Sequence, residues 1–166
     1  MNEKRRLLGM TLDELKGVAF EAGLPGYAAK QMADWLYKKK VTSIAAMTNI
    51  ASAKRALLEK NFEVGAVPPS DLMKSVDGTI KYLYPAGPGN FVESVYIPTE
   101  DRATLCVSSQ VGCKMNCLFC MTGKQGFTKN LSANEILNQI QSLPETEELT
   151  NIVFMGMGEP LDNVDE

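Results

Sequence analysis

The 166-residue sequence contains no histidine. This absence excludes His-based metal sites, Ser-His-Asp triads and Cys-His dyads. The sequence also lacks an apolar run of the roughly 18 residues that a membrane span needs, and its basic first ten residues have no apolar core. We therefore expect neither a membrane anchor nor a secretion signal. Only four cysteines are present, and in a cytoplasmic protein they should be metal-binding or catalytic thiols rather than disulfides.

Charge is distributed unevenly along the chain, whose formal net charge is −3. Residues 1–64 carry 11 Lys and Arg against seven Asp and Glu, a net charge of +4, whereas residues 65–166 have a net charge of −7. A basic first half suggests contact with a polyanion. The run Lys38–Lys40, close to Trp35 and Tyr37, could bind phosphates while an aromatic ring stacks on a base. The same lysines could instead complement the negative end of a helix dipole.

The first half of the chain is predicted to form a separate helical module. Thr11 and Glu14 match a capping box, and Ser52 is predicted to cap a later helix. The segment Gly65–Ser70 contains two adjacent prolines and is the best candidate for a linker. We expect three regions: a helical accessory domain and candidate RNA contact over residues 1–64, a linker and β-hairpin over 65–100, and the start of a further, truncated domain over 101–166.

A β-hairpin is predicted from two segments, Thr79–Tyr84 and Phe91–Ile97, that flank a loop rich in Pro and Gly. Glu93 should share one face of the second strand with Val95 and other apolar residues. A carboxylate among apolar neighbours should have a raised pKa and could accept a proton near neutral pH. A charge on an edge strand that faces water explains the same pattern, and spacing alone favours this second interpretation.

Three of the four cysteines, Cys113, Cys117 and Cys120, lie within eight residues in a C-x3-C-x2-C arrangement. Three thiolates from one loop can hold a four-iron cluster and leave one iron without a protein ligand. That iron can chelate the amino and carboxylate groups of S-adenosylmethionine. The alternative is a structural zinc site with Cys106 as its fourth ligand. The spacing favours iron and sulfide, because zinc sites prefer paired C-x2-C units and only one such pair is present.

A βαβ unit is predicted around the cysteines. It comprises a strand at Thr104–Ser108, a helix capped by Ser132, a short buried strand at Asn151–Met155 and the glycine-rich segment Gly156–Pro160. Loops at the carboxyl ends of parallel strands form the active sites of such folds, so the cysteine-containing segment and the glycine-rich segment should adjoin. Glycines let the backbone approach a ligand, and Glu159 can accept a hydrogen bond from an ammonium group.

Together these motifs resemble the radical S-adenosylmethionine enzymes and, more closely, the RlmN-type adenine-C2 methyltransferases of ribosomal and transfer RNA. The resemblance covers essentially the whole chain and depends on four stretches: Lys30–Tyr37, Phe91–Pro98, Asp101–Cys113 and Gly156–Pro160. The third is the most specific, because radical enzymes in general share only the three cysteines. The implied fold is an α+β N-terminal region, with a helical module and a β-hairpin, followed by the first βαβ part of a radical-SAM partial (β/α)6 barrel.

The resemblance also implies two cofactors, a [4Fe–4S] cluster and S-adenosylmethionine. Cys113, Cys117 and Cys120 would hold the cluster, and Gly158 and Glu159 would bind S-adenosylmethionine. In the family, the methyl group passes through a methylated cysteine near the C-terminus.

Two further residues acquire catalytic roles from the resemblance. Glu93 would accept the proton from adenine, and Cys106 would be the thiol that resolves the protein–RNA adduct. The implied partners are ribosomal RNA, transfer RNA and an external electron donor for the cluster. The implied location is the cytoplasm, with no membrane contact.

The sequence departs from the family in its length. No cysteine follows Cys120, so the methyl-carrying cysteine is not in this chain. We therefore expect an N-terminal fragment that is inactive alone and, because its sheet is open, poorly soluble or oligomeric. Sister enzymes that methylate adenine at C8 share these motifs, so the motifs leave C2 and C8 both open. A zinc-stabilised RNA-binding module is the alternative from a different class of protein.

Overall fold

The computed structural model describes residues 4–166, which divide into a first unit ending at Ala66 and a second unit, Val67–Glu166. Each unit has its own cluster of buried apolar side chains. None of the helices in the described residues is long and apolar enough to span a membrane.

The first unit is mainly helical. Its elements are β1 (Arg5–Arg6), α1 (Leu12–Glu21), α2 (Ala28–Ala33) continued by a π-helical turn (Asp34–Lys38), a 3-10 turn (Ile44–Ala46), α3 (Ser52–Asn61) and β2 (Phe62–Glu63). The two short strands pair in parallel, with Arg5 opposite Phe62. The helices surround a core to which α1 contributes Leu15, Val18 and Ala19.

The capping predictions differ in outcome between α1 and α3. The box before α1 is confirmed, because the Glu14 N–H donates to the Thr11 hydroxyl and the Thr11 N–H donates to the Glu14 carboxylate. The prediction for Ser52 is wrong. Ala51 occupies the cap position, and Ser52 is the first helical residue, so no side chain caps this helix.

The second unit has mixed α/β structure. Its elements are β3 (Asp71–Lys74), β4 (Ile80–Pro85), β5 (Phe91–Pro98), β6 (Ala103–Cys106), β7 (Gln110–Gly112), α4 (Met121–Lys124), β8 (Phe127–Asn130), α5 (Ala133–Gln141), β9 (Asn151–Val153) and a 3-10 turn (Pro160–Asp162). Strands β3-β4-β5-β6-β9 form one sheet in that order, and β7 pairs with β8 in a second. The predicted hairpin is confirmed by the antiparallel pairing of β4 with β5, and β6 and β9 are parallel.

One face of the five-stranded sheet is buried. Tyr82, Tyr84 and Leu105 lie on it with almost no exposed surface, and apolar residues around α5 pack in the same cluster. Helix α5 begins with the predicted capping box, formed by Ser132 and Glu135. The hydroxyls of these tyrosines have hydrogen-bond partners; for example, the Tyr82 hydroxyl donates to the Glu145 carboxylate at 2.7 Å.

The last strand of this sheet differs from the prediction. Asn151–Met155 was expected to be a buried strand, but β9 ends at Val153 and Ile152 is 45% exposed. Met155, just beyond the strand, is 80% exposed. The physical reason is that β9 is an edge strand, with β6 as its single neighbour among the described residues.

Candidate active site

The face opposite the buried one carries both residues predicted to be catalytic. Side chains alternate along β5, so Glu93 and Val95 lie on the face opposite the buried Val92 and Ser94. We call this surface the open face; its central members are Lys81, Leu83, Glu93, Val95 and Cys106.

Glu93 and Cys106 are diagonal neighbours on the open face. Val95 lies directly opposite Cys106 in the β5–β6 ladder, and Glu93 is two residues before Val95. Diagonal positions of this kind are about 7–8 Å apart, within reach of a substrate that touches both side chains. The structure therefore brings a carboxylate and a thiol to one surface, although they are 13 positions apart in the sequence.

Glu93 lies on an interior strand, between β4 and β6, which corrects the edge-strand interpretation. Its neighbours are not purely apolar, because the Lys81 ammonium lies 3.3 Å from its Oε1 atom. Both side chains are about half exposed. A cavity of about 160 Å³ adjoins them and is lined by Asp71, Leu72, Met73, Lys81, Leu83 and Glu93. The carboxylate is thus accessible from the open face.

Cys106 is half-buried at the end of β6. Burial raises the pKa of its thiol above the ordinary value, although a hydrogen bond from the Met155 backbone pulls in the opposite direction. The thiol is therefore protonated at neutral pH, and it needs a base or a reactive partner before it acts as a nucleophile.

The other three cysteines lie in the connection between β7 and α4, which we call the cysteine loop (Cys113–Cys120). The loop is exposed, and Leu118 and Phe119 between the thiols are each 91% accessible. It leaves β7 at Gly112, whose φ of +77° and contact with the carbonyl of Gly126 leave no room for a side chain. At the far end, hydrogen bonds led by the Gly123 N–H lower the pKa of the Cys120 thiol.

The donor set of the cysteine loop fits an iron–sulfur cluster, since it offers three thiols on one exposed segment of a chain without histidine. Within residues 4–166, however, no three His, Cys, Asp or Glu side chains are gathered closely enough to hold a metal ion. The three thiols thus lie on one loop, but they are not close enough together to hold a metal ion. Cys106 lies apart from this loop, in the sheet.

The second predicted loop, Gly156–Pro160, follows β9 and is called the glycine loop. The Glu159 side chain accepts a hydrogen bond from the Leu161 N–H at 3.0 Å and caps the 3-10 turn. The Glu159 N–H donates to the side-chain carbonyl of Gln110 at 2.9 Å. Gly158 has a φ of +98°, and a Cβ there would lie 2.5 Å from that of Gln110. The glycine loop therefore packs directly on the start of β7.

Sequence reasoning missed the polar residues that connect these parts. The Ser108 hydroxyl donates to the Glu93 carbonyl at 2.6 Å and accepts from the Met157 N–H at 2.9 Å, so it joins β5 to the glycine loop. The side-chain amide of Gln139 bonds both backbone groups of Ser108. No local pattern marks these residues. The one available signal was that they are polar residues, one at the end of a predicted strand and the other on an amphipathic helix.

Comparison with known proteins agrees with this architecture. Residues 5–64 match the family model described as the ribosomal RNA large subunit methyltransferase N-terminal domain, and residues 107–166 match that of the radical SAM superfamily. A crystal structure of a radical SAM methyltransferase from Sphaerobacter thermophilus superposes with a TM-score of 0.87 at 37% identity, over 97% of this chain and 49% of that one. Residues 107–166 thus match the radical S-adenosylmethionine class, whose cofactors are a [4Fe–4S] cluster and S-adenosylmethionine.

Curated relatives identify the family within this class. A probable dual-specificity RNA methyltransferase RlmN from Parabacteroides distasonis is 82% identical over the whole chain, which covers 48% of that protein. The dual-specificity RNA methyltransferase RlmN of Geobacter sulfurreducens is 47% identical over 95% of the chain and 44% of its own length. Over its whole length the chain is thus similar to the N-terminal half of these RlmN proteins. It spans about half the length of the curated relatives it matches.

Proposed function

We propose that the protein carrying this chain is a radical S-adenosylmethionine methyltransferase that methylates adenine at C2 in ribosomal and transfer RNA. The single observation that best supports this proposal is the shared open face of Glu93 and Cys106, next to the glycine loop. Similarity to proteins named dual-specificity RNA methyltransferases supports RNA as the substrate. The second unit would form the first βαβ part of the partial barrel, because β6 and β9 are parallel and α5 lies between them in sequence.

The two loops of the second unit would bind the cofactors. Cys113, Cys117 and Cys120 would hold the cluster, while Gly158 and Glu159 would contact S-adenosylmethionine. When bound, this pair supplies the one-electron chemistry that no protein side chain provides. An external electron donor would be the further partner. The protein would act in the cytoplasm, where the four free cysteines remain reduced.

On the open face, the carboxylate and the thiol would have separate roles. Glu93 would accept the proton from adenine C2 at its Oε1 atom, and the ammonium of Lys81 at 3.3 Å would orient that carboxylate. Cys106 would enter protonated, because burial raises its pKa. After losing its proton, its sulfur would attack the sulfur of the family's methyl-carrying cysteine and form a disulfide. The bond from that sulfur to the carbon on adenine would break, and the carbon would take up a proton to become the methyl group of the released base. The apolar neighbours Leu83 and Val95 would limit water at this surface.

The first unit would contact RNA through the lysine run. Lys39 lies over the Trp35 ring, 3.5 Å from its centre, while Lys38 pairs with Asp34 at 2.8 Å. Tyr37 is not a stacking platform, because its hydroxyl donates to the Met10 carbonyl and accepts from the Gly9 N–H inside the unit. Of the two aromatic residues near the lysine run, Trp35 is therefore the one proposed to stack on a base.

The decisive test of the proposed reaction is product analysis. The protein carrying this chain would be expressed in cells that lack their own enzyme, and methylated adenosines in digested RNA would be identified by mass spectrometry. We expect 2-methyladenosine with the wild type, its loss with Glu93→Gln, and no change with Glu100→Gln, an exposed residue outside the sheet. Formation of 8-methyladenosine, or full methylation by Glu93→Gln, would refute the assignment.

The RNA contact has its own test. Replacing Lys38, Lys39, Lys40 and Lys54 with glutamate should weaken RNA binding and reduce its dependence on salt, because fewer counterions would be released. Lys124→Glu, which changes the charge of an exposed residue in the second unit, serves as the control. Unchanged affinity in the quadruple variant would mean that these lysines are water-exposed charges on helix surfaces and do not contact RNA.

A further inference from the structure

Gln110 is a fully buried polar residue at the start of β7, three positions before the first cysteine of the cysteine loop. Its side-chain carbonyl accepts the Glu159 N–H at 2.9 Å. Its side-chain amide donates to Asn130 at 2.9 Å and to the Asp162 carboxylate at 2.8 Å. Both halves of the amide are therefore engaged, which a buried side chain needs if it is not to cost stability.

The backbone of the same residue also binds the glycine loop. The N–H groups of Ser109 and Gln110 both donate to the Met157 carbonyl, at 2.9 and 3.2 Å. Gly158 packs so closely on Gln110 that a Cβ would lie 2.5 Å from its Cβ and 2.8 Å from its backbone nitrogen. Main chain and side chain of Gln110 thus hold three consecutive residues of the glycine loop, 157–159, in one arrangement.

A second connection leads from Gln110 to the cysteine loop. The Asp162 oxygen that accepts from Gln110 also accepts from the Lys114 ammonium, at 2.9 Å. Lys114 directly follows Cys113. Gln110 is therefore joined to the cysteine loop along the chain through β7 and across space through Asp162.

We propose that Gln110 is a positioning residue that fixes the glycine loop against the cysteine loop, so that the S-adenosylmethionine site and the cluster site keep a fixed position relative to each other. This inference rests on the proposed function for the identity of the two sites. The coupling between the loops is a property of the chain itself and is testable without either cofactor.

The most informative variant is Gln110→Glu. It keeps the shape of the side chain and the acceptor for the Glu159 N–H, but it replaces the two donated hydrogen bonds with a carboxylate facing that of Asp162. The double variant Gln110→Glu/Asp162→Asn exchanges the amide and the carboxylate, so the introduced amide can donate to the introduced carboxylate. Rescue by this exchange distinguishes a specific positioning contact from a general requirement for a buried amide.

Two readouts are needed. Hydrogen–deuterium exchange of the cofactor-free chain would be followed in peptides covering the glycine loop and the cysteine loop. Affinity for S-adenosylmethionine would be measured on the protein reconstituted with iron and sulfide. For Gln110→Glu we expect exchange about tenfold faster in both loops and an S-adenosylmethionine Kd about tenfold higher, equivalent to about 1.4 kcal/mol. The double variant restores the contact with position 162 but not the one with Asn130, so it should return both values part of the way toward the wild type, at least about threefold closer than Gln110→Glu.

A milder pair of variants keeps the test decisive if Gln110→Glu unfolds the second unit. Lys114→Met removes the exposed ammonium from Asp162 and should speed exchange in the glycine loop, whereas Lys124→Met, the same change on exposed α4, should not. Three results would overturn the inference. Gln110→Glu could speed exchange in only one of the two loops, or it could leave the S-adenosylmethionine Kd unchanged. The double variant Gln110→Glu/Asp162→Asn could also fail to rescue either value. A wild-type protein that holds a cluster but does not bind S-adenosylmethionine would instead refute the proposed function.

Discussion

Replacing Gln139 with leucine should strongly destabilise the second unit, although the two side chains have similar volumes. Gln139 is fully buried on α5, where its carbonyl accepts the Ser108 N–H and its amide donates to the Ser108 carbonyl, both at 2.9 Å. Leucine fills the space but leaves both backbone groups buried without these partners. Each unsatisfied group costs about 1–3 kcal/mol, so the expected loss is about 2–6 kcal/mol. That loss is large against the roughly 5–15 kcal/mol that stabilises an ordinary domain.

Urea unfolding measures this loss. Trp35, the single tryptophan, reports on the first unit through fluorescence. Tyr82, Tyr84 and Tyr96 lie in the core of the second unit, while Tyr27 and Tyr37 lie in the first, so the second unit is followed as the part of the near-ultraviolet circular dichroism change that does not coincide with the Trp35 transition. The tyrosine transition should move to lower urea in Gln139→Leu.

Gln141→Leu, on the same helix but only partly buried, is the matched control for this prediction. It should lie within about 0.5 kcal/mol of the wild type, as substitutions away from specific contacts usually do. If Gln139→Leu also fell within that range, the amide would not be stabilising the backbone after β6, and the structural role assigned to it would be wrong.

Three further predictions follow from local contacts. Burial alone would raise the Glu135 pKa, but hydrogen bonds from Lys129 and Ser132 outweigh it and hold this pKa below its usual value near 4.5. A lowered folded-state pKa stabilises the protein above the unfolded value and loses that effect as pH falls, so Glu135→Gln should flatten the acid limb of stability measured by urea unfolding. Ser132→Ala should remove the cap of α5 and cost about 1 kcal/mol by the same method. Gly158→Ala should weaken S-adenosylmethionine binding, measured by equilibrium titration, about tenfold or more, because its Cβ would collide with Gln110; unchanged affinity would contradict the packing of the glycine loop.

Local sequence signals predicted the elements whose causes are local. The capping boxes at Thr11 and Ser132 depend on residues three positions apart, so the sequence contains both partners. The alternation along Phe91–Pro98 placed Glu93 on the same face as Val95, because side chains of a strand alternate strictly. The shared loop of the three cysteines was also predictable, because they lie within eight residues of one another.

Non-local relationships were beyond the same reasoning. The sequence could not show that Glu93 lies diagonal to Cys106, since this depends on the register between β5 and β6. Nor could it show that Gln110 and Gln139 are buried, because polar residues are tolerated inside a protein only when distant partners satisfy them. The exposure of β9 was missed because an apolar run does not reveal how many neighbouring strands it has.

The most direct test of the central claim is quantitation of iron and sulfide after anaerobic reconstitution, with an absorption spectrum. It would be made on wild type, on Cys106→Ser and on the triple variant in which Cys113, Cys117 and Cys120 are alanine. We predict about four irons and four sulfides per chain in wild type and Cys106→Ser, and none in the triple variant. One zinc and no iron, lost when Cys106 is replaced, would contradict the account and favour a structural zinc module.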